Sequence, residues 1–77
     1  MVNISVKKAC SIAENQGWTI TSFDSISAHL EMKIKKEEDR KRKSFILRER
    51  LKKLDGIGIE EMEYFQNYVF VITANGY

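Results

Sequence analysis

Apolar and polar residues alternate over residues 26–34, and this is the clearest periodic pattern in the chain. The apolar positions, separated by single polar or charged residues, are Ile26, Ala28, Leu30, Met32 and Ile34. A period of two indicates a β-strand with one buried and one solvated face. Residues 18–23 are rich in β-branched and aromatic residues, and Asp24 and Ser25 can form a turn after them. The pattern of residues 18–34 therefore predicts a β-hairpin.

A spacing of three and four residues is found at the start of the chain. The apolar residues on one helical face of residues 3–16 are Val6, Ala9, Cys10 and Ala13. Three of these four are small, so we expect this helix to lie close against the surface that it covers. Gly17 follows, and glycine readily adopts the left-handed conformation that ends a helix.

A second helical pattern covers residues 36–54, where Leu47, Leu51 and Leu54 form the apolar stripe. Acidic residues at its start and basic residues at its end offset the helix dipole. No apolar residue occurs over residues 35–43. We therefore expect the first two turns of this helix to stand in solvent, away from the core.

The last third of the chain predicts two more strands. Residues 57–65 mix two apolar phases, since Ile59 keeps one and Met62 keeps the other, which predicts a β-bulge near residues 60–61. Residues 68–74 are apolar in both phases, as expected of a central strand or of a strand whose second face is covered by a partner.

These segments together predict a single small α+β domain over residues 1–77. The order is αββαββ, which favours a four-stranded, mainly antiparallel sheet with two helices packed on one face. A chain of 77 residues buries only about 60–65% of its unfolded surface. We expect one modest core and no deep enclosed active site.

The positive charge is concentrated in one part of the chain. Residues 33–53 contain eleven basic and four acidic residues, a net charge of +7, whereas all other residues together carry −5. The formal net charge of +2 therefore conceals a strongly polarised molecule. An asymmetry of this kind suggests an anionic partner.

Several classes of function are disfavoured by what the sequence lacks. The longest apolar run, residues 69–72, is too short to cross a membrane, and we expect a cytoplasmic protein because no export signal is recognisable. The single cysteine, Cys10, excludes an internal disulfide and favours a buried thiol. No glycine-rich phosphate loop or nucleophile elbow occurs, so we expect neither a cofactor nor an enzyme.

Four acidic residues, Asp55, Glu60, Glu61 and Glu63, could hold a hard cation, but a solvated edge or a docking patch is favoured.

The basic helix is the candidate binding site. On a helical wheel Lys41, Phe45, Arg48 and Lys52 line up nearly opposite the leucine stripe. An aromatic ring among cations, on a face that the core does not need, suits phosphates or an acidic protein surface. The residues predicted to bind the partner are Arg40, Lys41, Arg42, Phe45, Arg48, Lys52 and Lys53. The competing interpretation is a solvated helix with pairs such as Glu37–Lys41.

Two hypotheses of function follow from this surface. The first is a non-enzymatic module that binds nucleic acid through the basic helix. The second is a small inhibitor or adaptor, of the type that mobile genetic elements encode, that binds an acidic protein surface. The doubly apolar residues 68–74 motivate the second hypothesis, which includes a homodimer among its forms. We favour nucleic acid.

A third hypothesis concerns His29, the only histidine, which occupies the polar phase of its strand. A helix followed by Gly17-Trp18, a strand and Ser27-Ala28-His29 resembles the HicA-type ribonuclease toxins. In that family a histidine on a comparable strand performs the cleavage, which would imply a catalytic His29. The resemblance covers less than half of the chain and lacks the glycine before the Ser-His pair. A solvated strand histidine is the favoured interpretation.

Overall fold

The computed structural model describes residues 4–74 and has the predicted α+β fold with the αββαββ order. The predicted helix start at residue 3 lies outside this range. The elements are α1 (Ile4–Asn15), β1 (Thr19–Phe23), β2 (Ser27–Lys33), α2 (Glu37–Leu51), β3 (Ile57–Tyr64) and β4 (Asn67–Ala74). The four strands form one sheet in the order β1-β2-β4-β3, and every neighbouring pair is antiparallel.

Both helices pack on the same face of the sheet. The core residues of α1 are Val6, Ala9, Cys10 and Ala13. The sheet contributes Ala28 and Leu30 of β2 and Phe70 and Ile72 of β4, and α2 contributes Leu47 and Leu51. Ala28 and Leu30 pair with Ile72 and Phe70, and directly paired residues share one face of a sheet. The small side chains of α1 permit the close approach that the sequence predicts, and burial raises the pKa of the Cys10 thiol.

The β4 strand, which is apolar in both phases, lies in the middle of the sheet between β2 and β3. Phe70 and Ile72 face the helices, whereas Val69 and Val71 belong to the opposite face. Within the described residues 4–74 no helix covers that second face, because both helices pack on the first. We call this second surface the open sheet face, and its members include His29, Met62, Tyr64, Val69 and Val71.

The predicted bulge in β3 is wrong. The pairing of β3 with β4 runs without interruption from Ile57 opposite Ala74 to Tyr64 opposite Asn67. Alternate residues of a strand lie on the same face, so Glu61 and Glu63 lie on the face of Ile57 and Ile59. Two acidic residues therefore occupy positions that face the helices. The apolar pattern is broken although the strand itself is regular. The irregularity of the sheet lies in β1, between Ile20 and Ser22.

Helix α2 ends earlier than predicted, and its buried stripe is longer than predicted. It ends at Leu51 instead of residue 54, and the segment to Gly56 forms turns, although Leu54 still packs against the core. The buried stripe extends further toward the N-terminus than leucines alone predict, because Ser44 is also buried. Its hydroxyl donates a hydrogen bond to the Lys41 carbonyl oxygen at 3.1 Å, which satisfies the polar atom inside the fold.

Gly17 ends α1 in a left-handed conformation, with φ of +90°. A Cβ atom there would lie 3.5 Å from Met32 Cε, an ordinary contact, so the backbone angle and not space demands glycine. We predict that Gly17→Ala lowers the free energy of unfolding by about 1–2 kcal/mol in urea denaturation.

Gly58→Ala is the matched control for this prediction. Gly58 lies within β3 and has no positive φ, so alanine there should leave stability unchanged or slightly higher. Equal losses in the two variants would contradict the role given to Gly17.

Candidate functional site

Arg48 of α2 is attached to the sheet by a two-point contact with Glu61 of β3. Its Nε and Nη2 groups donate hydrogen bonds to the two carboxylate oxygens at 2.6 and 2.7 Å. The Tyr68 hydroxyl donates to the same carboxylate. A bidentate contact between a planar guanidinium and a carboxylate is among the strongest polar interactions in proteins. Arg48 therefore joins the helix to the sheet, although the sequence predicts it on the outward face.

The position of Arg48 on the helix explains this correction. Successive residues are about 100° apart around a helix, so Arg48 lies about 60° from Leu51, at the edge of the buried stripe. Hydrogen bonds from Arg48 hold the pKa of Glu61 below its usual range, and the same contact raises the pKa of Arg48. Partial burial raises the pKa of Tyr68. Glu61 and Arg48 are consequently both charged at neutral pH.

Arg40 makes a second contact between α2 and the rest of the fold. Its side chain is 13% exposed, and its Nε atom lies 2.7 Å from Glu63 Oε1 as an ion pair, without the alignment of a hydrogen bond. Its Nη1 group donates to the carbonyl oxygen of Ile34 at 2.9 Å. The first turns of α2 are therefore tied to the sheet, and the expectation that they stand away from the core is wrong. Arg40 thus occupies the inward-facing position in these turns where an apolar residue would be expected.

The remaining cations of the predicted site are exposed and weakly paired. Lys41 lies 3.5 Å from Glu37, Arg42 3.3 Å from Asp39 and Lys52 3.4 Å from Glu49. Exposed pairs at these helical spacings contribute only about 0.3–0.5 kcal/mol each. A phosphate group could replace any of these carboxylates at little cost. Lys53, just beyond the end of α2, is exposed as well.

Phe45 projects into solvent among these cations. It is 55% exposed, and the neighbouring Ile46 is 43% exposed. A shallow cleft of about 310 Å³ runs from Phe45 and Lys41 toward Glu63 and Tyr68. We call the set Lys41, Arg42, Phe45, Lys52 and Lys53 the outer α2 surface. Of the seven predicted site residues, five form this surface, and Arg40 and Arg48 instead hold the helix in place.

Tyr64 and Phe65 are exposed residues that the sequence did not single out. The sequence pattern predicts a strand that includes Phe65, but β3 ends at Tyr64 and β4 begins at Asn67. Phe65 and Gln66 therefore form a two-residue turn. The only signal in the sequence was the short spacing between two strands, which requires such a turn whatever residues occupy it.

The catalytic hypothesis centres on His29, which is exposed on the open sheet face. Its neighbours in the strand register are Ser22 of β1 and Val71 of β4. Among residues 4–74 no group of three His, Cys, Asp or Glu residues is arranged to hold a metal ion. Glu61 and Glu63, which the sequence offered for a cation, are instead paired with arginines.

Comparison of the chain with protein-family models, curated proteins and solved structures finds no match. The resemblance to the HicA-type toxins therefore rests on the residues of the N-terminal half alone. No helix within the described part of the chain is long and apolar enough to cross a membrane.

The Arg48–Glu61 contact should make stability depend on pH. We predict that Glu61→Gln lowers the free energy of unfolding by about 1–3 kcal/mol at neutral pH, because a half-buried guanidinium loses its counter-charge. The folded pKa of Glu61 lies below its unfolded value. Its stabilisation is thus complete above about pH 4.3 and is lost as the pH falls through the lower, folded pKa.

Urea denaturation of wild type and Glu61→Gln at about pH 7 and about pH 3 measures this dependence. The stability difference between the two proteins should shrink at the lower pH. Glu60→Gln, an exposed neighbour on β3, is the matched control and should change little. A difference of the same size at both pH values would show that the contact is not ionic.

Proposed function

We propose that this chain is a non-enzymatic module that binds the phosphate backbone of a nucleic acid through the outer α2 surface. The observation that carries the proposal is the exposure of Phe45 among Lys41, Arg42, Lys52 and Lys53, on or directly after a helix that other residues fix in place. Cations displayed around an exposed aromatic ring are typical of surfaces that bind nucleic acids.

The fixed position of α2 supports this function. Arg40 and Arg48 are bonded to β3, so the helix does not have to be ordered when a ligand arrives. A binding surface that is organised in advance loses less conformational entropy on association. The helix is about 22 Å long, which suffices for several phosphates along one strand.

The exposed cations predict how binding depends on salt. If the four basic residues of the outer α2 surface each neutralise a phosphate, the logarithm of the affinity should fall with the logarithm of salt with a slope of about −3 to −4. Partners recognised mainly through apolar contacts would show a much weaker dependence on salt.

The alternative function is a protein-interaction regulator, and the open sheet face is the observation that favours it. Val71, Met62 and the half-exposed Tyr64 lie on this face, where a second protein or a second copy of the chain could pack. This surface lies on the other side of the sheet from α2. Packing of a partner on this face would not depend on the basic residues of the helix, whereas binding of an acidic protein surface to α2 would.

Charge reversal on the helix tests the proposal. We predict that Lys41→Glu/Lys52→Glu weakens binding to a labelled oligonucleotide at least about tenfold at about 50 mM salt and makes the salt slope shallower by about 1.4–1.8. Fluorescence anisotropy across a salt series measures both quantities. The variant should keep a cooperative melting transition, because both lysines are exposed and make only surface pairs.

Lys7→Glu/Lys8→Glu is the matched control, since it reverses the same number of charges on exposed residues of α1. It should reduce affinity much less, through the long-range field alone. An equal loss in both double variants would mean that net charge and not the outer α2 surface governs binding. A wild-type protein that binds neither single-stranded nor duplex DNA at about 50 mM salt would refute the proposal.

A further inference from the structure

The turn between β3 and β4 exposes two aromatic rings at one end of the sheet. Phe65 is 97% exposed and Tyr64 is 57% exposed. Aromatic side chains of this size contribute most to stability when they are buried in a core or an interface. The Phe65 side chain contributes almost no buried area to the fold.

The backbone conformation of Phe65 is unusual for a residue with a large side chain. Its φ angle is +49°, and it is the only residue other than glycine with a positive φ in residues 4–74. A bulky side chain is a rare occupant of this conformation, which glycine or asparagine adopts with less strain. Phe65 thus occupies a strained position and leaves its ring in solvent, so the fold itself does not account for the residue.

Basic residues surround this hairpin tip. An open cleft of about 810 Å³ is lined by Lys33, Lys35, Arg40, Tyr64 and Phe65, together with the polar side chains of Gln66 and Asn67. Lys33 and Lys35 are exposed, whereas Arg40 is bound to Glu63 and Ile34. The cleft offers free positive charge beside an exposed aromatic ring.

The hairpin tip adjoins the outer α2 surface. Arg40 lines both the cleft at Phe65 and the smaller cleft at Phe45, so the two clefts meet at this residue. Glu63 also lines the smaller cleft, but its carboxylate is paired with Arg40. One basic surface therefore carries an exposed phenyl ring in each of its two parts.

We propose that Phe65 stacks on an unpaired base and that the ligand of this protein is single-stranded nucleic acid. The strand would follow the basic surface from the hairpin tip past Arg40 to Phe45. A ring stacks on the face of a base only where that face is free, whereas neighbouring pairs cover it inside a duplex. Lys33 and Lys35 suit the phosphates that flank the stacked base. This inference rests on the proposed function and narrows its ligand.

Replacement of Phe65 by glycine tests the inference, because it removes the ring and the backbone strain together. Phe65→Gly should melt a few degrees higher than wild type. Its affinity for single-stranded oligo(dT) of about 20 nucleotides should fall roughly five- to a hundredfold, the range for loss of one stacked base. Affinity for a duplex of the same length should change less than about twofold, since that binding depends on phosphates.

Two further variants complete the experiment. Phe65→Trp keeps a stacking ring and should bind oligo(dT) at least as well as wild type. Phe23→Ala removes another exposed phenyl ring, at the opposite end of the sheet, and should bind like wild type. Anisotropy titrations at about 50 mM salt measure all of these affinities.

The outcomes separate this inference from the proposed function. If wild type binds nucleic acid but Phe65→Gly binds oligo(dT) equally well, or loses duplex binding to the same extent, the stacking role is refuted and the role of α2 is not. If wild type binds neither single strands nor duplexes, both are refuted.

Discussion

Two arginine–glutamate contacts between α2 and β3 determine which surface the helix presents. Glu61 and Glu63 occupy positions of β3 that face the helices, where the strand pattern calls for apolar side chains. A carboxylate that faces the helices needs a counter-charge to the extent that it loses its water, and this applies most to Glu61, whose side chain is 23% exposed against 52% for Glu63. Arg48 and Arg40 supply these charges from α2 and thereby fix the rotation of the helix about its axis.

The two cations of this helix that contact the sheet are both arginines, whereas Arg42 is exposed like the lysines. Arg40 and Arg48 are placed where a planar guanidinium can make several directed contacts with oxygen atoms inside the fold. Lys41 and Lys52 lie outside, where a flexible ammonium group stays hydrated and can exchange one anion for another. The basic segment thus stabilises the fold with some of its charges and leaves the others free for a ligand.

Much of the fold was predictable because it depends on local periodicity. The alternation around Leu30, the small residues of α1 and the glycine at position 17 each led to the observed element. The predictions failed where polar residues act as parts of the interior. Ser44 and Arg40 extend the stripe of Leu47 and Leu51, and no hydrophobic pattern reveals them. The sequence predicts a solvated edge at Glu61, because its partner Arg48 is distant in sequence and close only in the folded chain.

The candidate site was predictable to the extent that it lies on one helix. The position of Phe45 follows from helical spacing, and its exposure confirms that prediction. The exposure of Phe65 could not be predicted in the same way, because it depends on the register in which β3 and β4 pair and on where their turn falls. The sequence alone assigns that residue to a strand.

The most direct test of binding through α2 and the hairpin tip is a map of ligand contacts on the intact protein. Amide chemical shifts, followed by ¹⁵N NMR during titration with oligo(dT), report which residues meet the ligand. We predict changes centred on Lys41, Phe45, Lys52 and Phe65, with the open sheet face around Val71 unaffected. Changes centred on Val71 and Met62, with α2 unperturbed, would contradict this prediction.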